Sequence, residues 1–100
     1  MLRVRAGTVA PPLSVPLHEY GEPVNLAQAE KISVVGIRDD LVAFQDDSPA
    51  LDVTRGIVTH DWKPEETAER GRIWVTVRVV WPGPGVQTFP EFESIAVDVY

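Results

Sequence analysis

The stretch GRIWVTVRVVW (71–81) changes character at every residue, and its reading decides the fold. Ile73, Val75, Val77, Val79 and Trp81 form one row, while Arg72, Trp74, Thr76, Arg78 and Val80 form the other. A period of two sends successive side chains to opposite faces of a β-strand. The stretch continues into PGPGVQTFP (82–90) and FESIAVDVY (92–100). These read as a Pro/Gly turn, a short TFP segment and a second strand in which Ile95, Val97 and Val99 alternate with Ala96, Asp98 and Tyr100. The alternation reaches the last residue, so the reading expects no tail, second domain or C-terminal signal.

The same period governs most of the chain upstream. Leu13, Val15 and Leu17 alternate with Ser14, Pro16 and His18, and Pro16 assigns that strand to a sheet edge. Ile32 and Val34 alternate with Lys31 and Ser33, Leu51 and Val53 flank Asp52, and Val58, His60 and Trp62 alternate with Ile57, Thr59 and Asp61. Turn residues separate the runs at Tyr20–Pro23, Arg38–Asp40, Gln45–Pro49, Arg55–Gly56 and Pro82–Gly85. The one helix-compatible stretch is Pro64–Arg70, with Pro64 at a first helical position and Glu65 and Glu66 near its start.

About seven short strands over one domain point to an all-β, immunoglobulin-like antiparallel sandwich. A small barrel is the rival; facing rows of mid-sized β-branched residues favour two sheets. Residues 13–100 make the sandwich. Residues 1–12 carry Arg3 and Arg5, no acid, and end in Pro11-Pro12, so they read as an extended arm that is ordered only where something pairs with it.

Composition narrows the function classes. One hundred residues, 44% hydrophobic and 24% charged, suit a single globular domain. With no cysteine there is no disulfide, thiolate chemistry or Cys-type metal site, which suits a reducing cytosol or a particle assembled there. No apolar run reaches membrane-spanning length, and Met1–Arg5 lacks the apolar segment of a signal peptide. A net charge of −6 repels phosphate backbones and so argues against nucleic acid.

Catalytic candidates are few. His18 lies in a proline-bearing edge strand, and His60 shares the register of Val58 and Trp62, which makes it an inward, half-buried polar side chain. The carboxylate pairs Asp39-Asp40 and Asp46-Asp47 lie in turns, without the spacing of a calcium loop, where Asp commonly bonds its own backbone. Gly83 and Gly85 alternate with prolines, which lack the N–H groups of a phosphate cradle. The expectation is a non-enzyme with no cofactor and no metal.

Surface residues remain. Trp74, flanked by Arg72 and Arg78, has the composition enriched at interface hot spots. Either it docks a partner or it packs beneath the arm or a loop of its own chain. The arm, with Arg3, Arg5, Pro11 and Pro12, either adds a strand to a neighbouring subunit or frays. Trp62 and Trp81 read as core.

Taken in order, GEPVNLAQA (21–29), KISVVGIR (31–38), GIVTHDW (56–62), KPEETAERGRIWVTVRV (63–79) and VQTFPEFESIAVDV (86–99) resemble the small immunoglobulin-like domain of phage tail and baseplate proteins. The resemblance is to the N-terminal domain of upper baseplate proteins and runs from Leu13 to Tyr100. That family opens with Gly-x-Pro-Val-Asp-Leu, has a Gly-x-Val-x-Tyr-x-Trp strand, and places Gln-Thr-Phe-Pro before its last strand. Here His60 stands for the usual aromatic, Ile73 for a tyrosine, and Pro-Gly-Pro-Gly for an Asp-Gly hairpin.

The resemblance implies a virion structural protein of the tail, baseplate or neck. Such a subunit assembles in the host cytoplasm in multiple copies on a larger ring or tube. Host-receptor binding belongs to downstream modules of the family and is not inherited. The alternative is a cell-surface or carbohydrate-binding module, against which a solitary outward Trp counts.

Overall fold

A computed structural model describes residues 2–9, 11–83, 85–89 and 95–100. Its elements in chain order are β1 (Leu2–Val4), β2 (Leu13–Pro16), β3 (His18–Glu19), β4 (Glu22–Pro23), β5 (Lys31–Arg38), β6 (Leu41–Asp46), β7 (Ala50–Asp52), β8 (Ile57–His60), β9 (Gly71–Val80), β10 (Val86–Phe89) and β11 (Ile95–Val99). The larger sheet has the order β1-β11-β9-β5-β6, with β10 also on β9, and the smaller has the order β2-β8-β7. Strands β3 and β4 form a separate two-residue hairpin.

The fold is an all-β sandwich. β2-β8-β7 opposite β11-β9-β5-β6 is the B-E-D and G-F-C-C′ strand order of an immunoglobulin-like sandwich. Those seven strands carry the sandwich pattern; β1 and β10 extend the larger sheet and β3 and β4 stand apart, which makes eleven strands among the described residues.

β9 is the spine because its inward row is apolar for its whole length. Ile73, Val75, Val77 and Val79 are all fully buried. They face Leu13, Val15 and Val58 of the smaller sheet across a core that also takes in Val34, Phe44, Val97 and Val99. One edge of β9 pairs with β5 from Trp74 to Val80. Its other edge is shared end to end, with β11 on Gly71–Val75 and β10 on Val77–Val80.

Several expectations change. Strand β6 has no counterpart in the sequence reading. Of its Leu41–Asp46, only Phe44 is buried, so an edge strand with one inward residue shows no alternation to read. Pro64–Arg70 is not a helix: it forms turns and bends, with Glu66 N–H donating to Lys63 O. The Glu66 side chain is drawn away to His60, and a single turn carries too few bonds to propagate a helix. Thr88 and Phe89 of the TFP segment belong to the strand β10, Val86–Phe89. Pro84, the proline of TFP (Pro90) and the start of the last strand at Phe92–Ser94 lie outside the described residues, as do Met1 and Ala10 of the arm.

The arm pairs with its own chain. Leu2–Val4 runs parallel to Val97–Val99, and Val4 is fully buried. Pairing continues past the strand: Tyr100 N–H donates to Val4 O, Ala6 N–H to Tyr100 O, and Gly7 N–H to Thr67 O. Residues 2–7 are therefore part of the sandwich rather than a free appendage.

Candidate functional site

The outer face of the larger sheet is built by the same alternation that builds the core. Paired residues share a face, so the register places Ala96, Trp74, Ile37 and Val42 in one row across β11, β9, β5 and β6. The next row holds Thr76, Val35 and Gln45. Trp74 is 44% exposed and Val42 61%. The Arg72 guanidinium lies 5.6 Å from the Trp74 ring centroid while its Nε–H donates to Asp98 at 3.1 Å. That contact sets a cation over the indole, which stays partly exposed to solvent.

Arg78 is exposed and stands between Ser33 and Thr88 in the register. At one corner, Ser33 Oγ–H and Gln45 Nε2–H donate to Asp47 Oδ1 at 2.8 and 3.0 Å, with Lys31 Nζ 3.8 Å away. The bonds from Gln45 and Ser33, with Lys31 nearby, hold the Asp47 carboxyl below the usual carboxylate range.

The candidates named from sequence separate into two groups. Trp74 and Arg78 share the outer face of β9. Arg3 and Arg5 lie at the far edge, beyond β11, with their guanidinium carbons 4.4 and 5.9 Å from the Tyr100 ring centroid. Arg3 and Arg5 therefore pack on Tyr100 rather than on Trp74. Pro11 and Pro12 are exposed ahead of β2, on the smaller sheet, and join neither group.

A second constellation surrounds His60. Its ring is 1% exposed and stacks on Phe44 with centroids 4.5 Å apart and planes 6° apart, while Trp62 meets both rings edge-on. His60 Nδ1 faces Asp46 Oδ2 at 2.7 Å, and Nε2 faces Glu66 Oε1 at 2.8 Å. Carboxylates only accept, so two short N···O lines require two protons shared among the three groups. Glu66 Oε1 also accepts Lys63 N–H at 2.9 Å, and Asp46 Oδ1 accepts Ser48 N–H at 2.9 Å.

The cluster ties β6, β8 and the 63–66 turn together. It borders a groove of about 400 Å³ with Asp61 and Lys63 on its wall. Both ring nitrogens are committed to carboxylates, which leaves neither to take a substrate proton or bind a metal. His60 is thus wholly buried rather than half-buried. Sequence reasoning missed its partners because β6 was invisible, and no local pattern joins residues 46, 60 and 66.

The other carboxylate pair also serves a turn. Asp39 and Asp40 have φ of 52° and 63°, the left-handed pair that closes the two-residue hairpin between β5 and β6. His18 is exposed on β3. The chain matches no protein family, no curated protein and no solved structure.

Proposed function

We propose that this chain is a non-enzymatic docking subunit that attaches by the outer face of its larger sheet. The proposed setting is the tail, baseplate or neck of a bacteriophage virion, where it sits in multiple copies on a symmetric ring or tube. The observation that carries docking is the row Ala96–Trp74–Ile37–Val42, an apolar stripe with a half-exposed Trp on a four-strand floor. A ring fixed on a rigid sheet loses little entropy on binding, and Trp and Arg dominate interface hot spots. The virion setting is supported by the ordered motifs from Leu13 to Tyr100 alone.

The test is incorporation into particles. Trp74→Ala and Arg78→Glu should each deplete this subunit from assembled virions while the isolated domain melts within a few degrees of the parent. Undiminished incorporation of both variants would remove this face from the proposal. Loss of the fold in Trp74→Ala would assign the ring to packing.

One observation favours the carbohydrate reading. Tyr20, 97% exposed, and Trp81 line an open groove of about 550 Å³ together with Asn25 and Gln87. Two rings with amides between them are what a sugar platform needs. The Trp81 indole N–H, however, donates to Gln87 at 3.0 Å, so one amide is already used. A glycan array separates the readings, and selective binding abolished by Tyr20→Ala would favour this one.

A further inference from the structure

The larger sheet ends at β6, and this edge is unlike those of β1, β2 and β7. Unpaired strand edges invite another strand, and proteins blunt them with prolines, charges or brevity. β2 carries Pro16 and follows Pro11-Pro12, β7 spans only Ala50–Asp52 after Pro49, and β1 carries Arg3. β6 has neither proline nor charge from Leu41 to Gln45. Leu41 and Val42 are 72% and 61% exposed, and Ala43 is exposed beside them.

This edge opens on a groove of about 330 Å³. Its floor is Leu41, Val42, Ala43 and Ala68, and its rim includes Asp39 and Glu65. The one rim cation is spent, since Arg38 Nη1–H and Nη2–H donate to Glu69 Oε2 and O at 3.3 and 2.9 Å. Asp39, Asp40 and Glu65 have no ion pair among the described residues. The left-handed turn holds the two aspartates at the end of the strand. The groove is apolar below and negative above.

We infer that the β6 edge accepts an extended segment of a partner protein, in which a short apolar pair is flanked by Lys or Arg, as an added strand. Main-chain hydrogen bonds would supply the pairing, two adjacent apolar side chains would cover Leu41 on one face and Val42 on the other, and the flanking cations would meet Asp39, Asp40 and Glu65. A register shift at Gly36/Ile37 leaves Ala43 as an additional residue in β6 and bends the edge. Only a short run is offered on either side, so the expected dissociation constant is weak, on the order of 0.1 mM. This site is distinct from the Trp74 row, which it meets only at Val42.

The test is titration of the full chain, labelled with ¹⁵N, with an acetylated, amidated hexapeptide of two central valines flanked on each side by two arginines, and with its glutamate–valine counterpart. Amide shifts confined to Leu41–Gln45 and the facing Ala68–Glu69 are expected with the arginine peptide alone, weakening several-fold in high salt. Val42→Lys and Leu41→Lys should each reduce binding at least tenfold with the fold intact, and Trp74→Ala should leave it unchanged. Absence of shifts at this edge, equal binding of the glutamate peptide, or undiminished binding by both lysine variants would overturn the inference. So would a concentration-dependent dimer mapping to β6, which would assign the edge to a second copy.

Discussion

The imidazole of His60 lies parallel to the ring of Phe44, their planes 6° apart, so β6 and β8 are joined by a stacked pair that bridges the two sheets. The stack has a polar reverse, because both ring nitrogens face carboxylates. Removing the imidazole leaves a cavity and two negative groups, Asp46 and Glu66, only 23% and 10% exposed at the side chain. His60→Ala should therefore cost about 3 kcal/mol. Urea unfolding measures it, and adding Asp46→Asn with Glu66→Gln should recover part of the loss.

Phe44 owes its position to a missing side chain. Gly36 pairs with Phe44 across the hairpin, and a Cβ at Gly36 would strike the Phe44 ring and come within 2.9 Å of Ile73 Cγ2. Gly36→Ala should destabilise by about 1–3 kcal/mol, because neither the ring nor the buried Ile73 has room to yield. Combining it with Phe44→Leu should show clear coupling in a double-mutant cycle.

The Asp47 carboxyl makes a pH prediction whose sign is fixed. Its folded pKa lies below the ordinary 3.8, so its contribution is present above that value and disappears as the pH falls through the folded one. The stability advantage of the parent over Asp47→Asn should be constant at neutral pH and shrink as the pH falls below the ordinary 3.8. Urea midpoints of both proteins across that range check it. A difference that persists unchanged at the acid end would assign Asp47 a role independent of its charge.

Truncation of residues 1–7 should damage the fold. It removes fully buried Val4 and the bonds joining Val4 and Ala6 to Tyr100 and Gly7 to Thr67. The expected loss is about 3 kcal/mol or more, from one buried Val and several net hydrogen bonds. Thermal melts read this directly. A role for the arm in attachment is better tested with Arg5→Ala, since Arg5 is exposed and outside β1.

What could be read from the sequence was what alternation encodes. β9 announces both its faces, so the buried row and the outward Trp74 were legible together, and Pro16 correctly marked β2 as an edge. β6 was illegible because an edge strand with a single inward residue has no period. The His60 cluster went with it, since Asp46 enters only through that strand. The arm's partner was illegible for a related reason: Leu2–Val4 is too short to display a pattern, and β11, with which it pairs, is at the opposite end of the chain. Long-range pairing of short strands is decided by tertiary packing, which local sequence does not record.

The parallel ladder between β1 and β11 also sets how the domain would respond to force. Tension applied at residues 2 and 100 would load the rungs Leu2–Val97, Arg3–Asp98 and Val4–Val99 in shear, so they would have to give way together rather than unzip one at a time. A domain wired like this should resist a pull between its two ends better than one closed by an antiparallel pair.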